Sequence, residues 1–123
     1  MKILKKIIVF DAADIATESR FWARLLDGEV DDSEDDWHNV IIEGEWQISV
    51  QLAPDHVAPD WPDGSPEQQV HLDFWVDDID AWHEKATRLG AEFLQPDQNP
   101  EAKESFQVYA DPAGHPFCLC FSR

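Results

Sequence analysis

The stretch Val70-His71-Leu72-Asp73-Phe74-Trp75-Val76-Asp77-Asp78 decides the fold. Leu72, Phe74 and Val76 alternate with His71, Asp73 and Trp75, the period of two that sends successive side chains to opposite faces of a strand. Asp78 then supplies an acceptor for the free amides of a helix N-terminus. Ile79, Trp82, Ala86 and Leu89 recur on one helical stripe, and Gly90 closes it. Downstream, residues 92–95 and 106–109 read as strands around a proline-containing loop. Asp111-Pro112-Ala113-Gly114 has the composition of a tight turn, and residues 117–121 form a last strand.

The same order is legible about 64 residues upstream. Residues 3–10 are apolar and rich in β-branched side chains, Asp14 offers a helix cap, and Ile15, Phe21, Trp22, Leu25 and Leu26 follow at helical spacing. Gly28 is expected to end that helix in a left-handed conformation. After an acidic loop, residues 37–42 and 46–52 read as strands joined at Gly44. In the second of them Ile48, Val50 and Leu52 oppose Gln47, Ser49 and Gln51. Four prolines and a glycine between residues 54 and 66 mark a linker. A repeat of this length predicts an α+β fold of two βαβββ units, each too small to bury its sheet face alone. Unit one spans about 3–53, the linker about 54–68 and unit two about 69–122, in a single domain. Neither half has the second helix that a doubly wound sheet needs.

Charge and cysteine content narrow the setting. Among 123 residues, 26 acidic side chains against 9 basic ones give a formal charge of −17, which repels phosphate backbones and anionic membranes. The chain is nonetheless 43% hydrophobic with six tryptophans, enough to build a core, so the acidity does not signal disorder. The run Ile7-Ile8-Val9-Phe10 is far short of the about 20 residues that span a bilayer. Lys5 and Lys6 before it and Asp11 after it also break the pattern of a secretory signal. Cys118 and Cys120 would share a strand face with Cα atoms about 6.6 Å apart, at the edge of disulfide reach. Two free thiols and a reducing, cytoplasmic setting are expected.

A tandem βαβββ chain of this length resembles the vicinal oxygen chelate superfamily of glyoxalase I, extradiol dioxygenases and bleomycin-resistance proteins, and especially its small bacterial glyoxalase-like domains. The residues that carry the resemblance are Phe21-Trp22-Ala23-Arg24-Leu25-Leu26, Trp61-Pro62, the His71 to Asp78 stretch, and Asp111-Pro112-Ala113-Gly114-His115-Pro116-Phe117-Cys118-Leu119-Cys120. It implies that each unit curls into half of a curved mixed sheet enclosing a concave pocket, that two chains pair as a homodimer, and that a small organic molecule is the partner. Residues on the concave side would be Gln51, His71, Asp73, Trp75, Cys118 and Cys120, with Trp46 and Trp61 as further walls.

Metal-dependent members of that superfamily place ligands on the first and last strands of each unit. Carried over, those positions fall on Ile7 (or Lys6 if the register slips by one), Gln51, His71 and Cys118, with Cys118 where a Glu is common. Ile7 cannot ligate, a lysine opposes a cation, and His71 with Cys118 falls short of the three protein ligands usual in a catalytic zinc site. A metal-free binding protein is therefore expected, with no cofactor. A metal-dependent lyase or dioxygenase of the glyoxalase I type is the alternative, and a divalent metal its requirement. A metal-free isomerase using Asp73 and His71 for proton transfer is a second.

The remaining candidates have plainer readings. His115 belongs to its turn, while His38, His56 and His83 read as solvated. Trp22 and Trp82 read as packing residues on helix faces. The run Asp31-Asp32-Ser33-Glu34-Asp35-Asp36 lacks the glycine and terminal Glu of a calcium loop and reads as a solvated acidic loop.

Overall fold

The computed structural model describes residues 1–123, which divide into two compact units, Met1–His56 and Val57–Arg123. Unit one contains β1 (Ile8–Ala12), α1 (Ile15–Leu25), β2 (Glu29–Asp31), β3 (Trp37–Ile42) and β4 (Glu45–Leu52). Unit two contains β5 (Leu72–Trp75), α2 (Ile79–Arg88), β6 (Glu92–Gln95), β7 (Glu104–Ala110) and β8 (Pro116–Ser122). The sheets run β1-β4-β3-β2 and β5-β8-β7-β6, each with its first pair parallel and the rest antiparallel. Two βαβββ units are thus present. No helix is long and apolar enough to cross a membrane.

The helix caps repeat at a spacing of 64. The Asp14 carboxylate accepts from the Thr17 amide at 3.1 Å and the Asp78 carboxylate from the Ala81 amide at 3.1 Å. The two C-termini differ. Gly90 takes φ +112 after α2, as expected, but after α1 the left-handed residue is Asp27 at φ 54 rather than Gly28. Gly28 instead donates its amide to the Ala23 carbonyl at 2.7 Å, completing a Schellman closure. A Cβ at Gly28 would sit 2.5 Å from the Ile41 carbonyl oxygen, so close approach rather than handedness demands the glycine.

Several boundaries move for one reason: strands extend only as far as a partner strand does. β1 begins at Ile8, because its partner β4 aligns Ile48 with Ile8 and Leu52 with Ala12, leaving Ile3 and Leu4 exposed. Conversely, β7 and β8 pair from Glu104 with Ser122 to Ala110 with Pro116, longer at each end than their apolar runs. Strand β2, inside what reads as acidic loop, exists only through pairing of Glu29, Val30 and Asp31 with Ile41, Val40 and Asn39.

Each helix covers one sheet face. In unit one Phe10 stacks on Trp22 with ring centroids 4.9 Å apart, over buried Val40 and Val50. In unit two Phe74, Phe117, Tyr109 and Phe93 form a continuous aromatic layer with His83 of α2. Two histidines that read as solvated belong to these layers. His38 is 7% exposed, its Nδ1 2.9 Å from the Ser19 hydroxyl, and the His83 Nδ1 lies 2.9 Å from the Tyr109 hydroxyl. His38 lies on the sheet face that α1 covers and His83 on the face of α2 that meets the sheet, which local periodicity did not reveal. Trp82, in contrast, is half-buried, with Lys85 over its ring at 5.0 Å and its indole donating to Asp77. It covers the surface end of α2 and not the core.

Candidate functional site

The sheet face of unit two turned away from α2 is built in rows by register. Trp75 pairs with Cys120, which pairs with Phe106, and Asp73 pairs with Cys118, which pairs with Val108. Paired residues share a face, so Trp75, Cys120 and Phe106 form one row and Asp73, Cys118 and Val108 the next. His71 stands immediately before β5, with its Nε2 3.2 Å from an Asp73 carboxylate oxygen. Val108, Cys118 and Cys120 make a buried apolar floor, and Trp61 and Leu94 pack against it. Above that floor Asp73 and His71 are about half exposed, Trp75 is 62% exposed and Phe106 46%.

Burial in the floor and the neighbouring carboxylate set the chemistry of the thiols. Burial first, then the negative charge of Asp73 and the hydrogen bond that the thiol donates to it, push the Cys118 thiol up to about 12. Cys120 is raised as well, by burial first and then by the negative charge of Asp73. Both are free thiols and both are buried, so they behave as small apolar groups rather than nucleophiles.

His115 is held in its turn. The Asp111 carboxylate accepts from the backbone amide of His115 at 2.8 Å, from that of Ala113 at 3.1 Å, and lies 2.8 Å from the His115 ring. The acidic loop behaves as solvated surface, with the Asp31 carboxylate lowered by accepting from Ser33.

Unit one carries the matching face, and the register identifies its equivalents. Val9 pairs with Ser49 in unit one as Asp73 pairs with Cys118 in unit two. Ser49, not Gln51, is therefore the counterpart of Cys118, and Gln51 lies one pleat repeat further on, exposed and opposite Asp11. Ser49 is fully buried and committed: its hydroxyl donates to Asn39 at 2.8 Å and accepts from the Trp46 indole at 2.8 Å. Trp37 donates to the same Asn39 oxygen at 2.8 Å, and Lys5 lies over the Trp46 ring at 5.4 Å. This closed network could not be read from spacing, because it depends on the register in which β3 and β4 pair. Ile7, ahead of β1, has no donor atom to offer.

The profile of the glyoxalase-like domain family matches residues 7–120, nearly the whole chain. The protein belongs to that family. Solved structures agree on the vicinal oxygen chelate fold. The fosfomycin resistance protein FosX of Listeria monocytogenes superposes with a TM-score of 0.72 at 17% identity, covering 100% of this chain and 96% of that one. FosX of Mesorhizobium loti gives 0.68 at 17% identity, with 100% and 95% covered. A glyoxalase/bleomycin resistance protein/dioxygenase family enzyme of Burkholderia phytofirmans gives 0.70 at 17% identity, with 95% and 97% covered. None of the curated proteins matches the chain significantly in sequence.

Listeria FosX has been crystallised with Mn(II), so the fold accommodates a metal, and this chain's donors can be tested for one. His71, Asp73 and Cys118 offer ligand atoms within 4.8 Å of one another, close enough to share an ion. Asp73 is the member of this trio that the family positions did not supply. Manganese prefers carboxylate, carbonyl and water oxygens, whereas a Cys ligand must first surrender a proton that Cys118 holds up to about 12. At the equivalent positions of its own sheet, unit one has only Ile7 and the committed Ser49. The donor set does not fit an ion of the manganese type.

Proposed function

We propose that this glyoxalase-like protein binds a small organic molecule on the unit-two face formed by His71, Asp73, Trp75, Trp61, Cys118 and Cys120, without a hard divalent metal. The supporting observation is the thiol of Cys118 in the row where the family commonly carries a carboxylate. It is buried, protonated and bonded to Asp73, so the face offers an apolar floor and one polar handle instead of a metal cradle. Small-molecule sites have this composition, mostly apolar with a few placed polar groups. Gln51 and Trp46 belong to the corresponding face of unit one, and we propose that face as a second, separate surface for small molecules. The protein is proposed to act in the cytoplasm, where two free thiols remain reduced. It is proposed to pair as a homodimer, to which each sheet offers outer strands with an unpaired edge.

The test is a thermal-shift screen of metabolites and antibiotics on the untagged protein, with and without chelator, alongside elemental analysis. A ligand present at about 100 times its dissociation constant stabilises the fold by about 2.7 kcal/mol, which a melting curve resolves. Expected are hits that persist in chelator and a metal content near zero. A metal ratio near one per chain, lost in His71→Ala, would replace this reading with a metalloenzyme. The 3.2 Å contact between His71 and Asp73 is also what a proton-transfer pair requires. Hits are therefore followed for turnover.

A further inference from the structure

The charge distribution and the exposed rings on this face point to the class of ligand, an inference that rests on the binding role proposed above. We infer that the ligand is an organic cation with a flat apolar body, its ring lying against Trp75 and its charge facing Asp73. Three observations carry this.

First, the aromatic surface is available. Trp75 and Phe106 occupy opposite ends of one row, separated by Cys120 on the strand between them, and both are exposed. Two strand spacings put their Cα atoms about 9.6 Å apart. That is room for a planar ring system to lie against either side chain. Trp61, packed on the adjoining floor, adds a third ring.

Second, the neighbouring row offers a carboxylate. Asp73 lies two residues from Trp75 on the same face, about 6.6 Å along the strand. It is half exposed, and its two contacts are the His71 ring and the Cys118 thiol, neither of them a fixed positive charge. A carboxylate beside an aromatic face is the combination that recognises an alkylated or aromatic ammonium, by Coulomb attraction and by cation–π contact together.

Third, the field is of one sign. Unit two has thirteen acidic and four basic side chains. Lys85 and Arg88 are on α2, across the sheet, and Arg123 pairs with Asp97. Lys103 lies just ahead of β7. Along the strands of the binding face, register places Glu104 and Glu92 with Asp73, and no Lys or Arg. Such a surface concentrates cations and repels anions. A phosphonate, of the kind seen with Listeria FosX, would meet repulsion here.

The inference is tested with three probes of one ring system at low and high salt: N-methylquinolinium (cation), quinoline (neutral at pH 8) and quinoline-2-carboxylate (anion). Tryptophan fluorescence quenching and calorimetry report binding. The cation is expected to bind at least tenfold more tightly than quinoline, with the advantage shrinking as salt rises, and the anion more weakly still. Asp73→Asn, checked for folding by its melting curve, should bring the cation's affinity toward that of quinoline and remove its salt dependence. Trp75→Ala should weaken both the cation and the neutral probe, the cation more, because it also loses the cation–π contact. Equal binding of all three would overturn the cation assignment and leave small-molecule binding standing. No saturable binding of the cation would also overturn it, and only if the broad screen were silent too would the binding role fall. A dimer in sedimentation that Trp75→Arg dissociates, with no probe reaching the ring, would assign this surface to a second copy and overturn the inference.

Discussion

Alkaline titration of Cys118 measures how strongly its surroundings disfavour the thiolate, the form in which it could hold a metal. In the folded chain the thiol is held up to about 12 by burial and by Asp73, whereas in the unfolded chain a cysteine titrates near about 8.5. The raised value means that the native state keeps a proton that the unfolded state releases as pH rises. The stabilisation is therefore fully present below about 8.5 and is lost progressively as pH climbs toward about 12. Each pH unit in that window is worth about 1.36 kcal/mol per group, so between neutrality and about pH 10 the Cys118 share of the loss is about 2 kcal/mol. Other groups titrate in the same window, and Cys118→Ala subtracts them. Urea unfolding of both proteins at neutral pH and at about pH 10 should show wild type losing about 2 kcal/mol more than the variant. If the gap between the two proteins is the same at both pH values, the thiolate is accommodated on this face. The argument against a metal would then lose its chemical basis, because a ready thiolate beside His71 and Asp73 is a ligand set for zinc.

Two further outcomes follow from the fold. Tyr109→Phe removes a buried hydroxyl that lies 2.9 Å from His83 and accepts from Gln107 at 3.1 Å, and should cost about 1–3 kcal/mol in denaturant unfolding. Gly114→Ala places a Cβ 2.3 Å from that of Ala58 at a φ of +92, whereas Gly44→Ala at φ +77 meets nothing within 4 Å. Melting curves should therefore show Gly114→Ala falling well below Gly44→Ala, which carries only the left-handed strain of about 1–2 kcal/mol.

Much of the architecture was legible because it depends on local patterns. The alternation of Leu72, Phe74 and Val76 with His71, Asp73 and Trp75 is a property of the chain itself, and the observed burial follows it residue by residue. Asp14 and Asp78 cap helices whichever sheet those helices later cover. Strand β2 was not legible, since three residues without an apolar run become a strand only when β3 is alongside. The site divides in the same way. His71, Asp73 and Cys118 were visible as candidates on one face, but that their donor atoms converge, and that burial and Asp73 together hold the thiol protonated, required the parallel pairing of β5 with β8. His38 and His83 read as solvated because no short-range signal records which residue meets them across the helix–sheet interface.

The sequence by itself determined the repeat, the helix caps, the period-two faces and the excess of negative charge, all of which arise from residues near one another in the chain or from simple counts. The tertiary structure decided register. Register is an agreement between strands far apart in sequence, and a shift of one pleat repeat exchanges Gln51 for Ser49 at the position matching Cys118 without altering the pattern of either strand. It buries Ser49 beneath Trp46 and leaves Trp75 in the open beside Asp73, which is why the proposed site falls on the second unit.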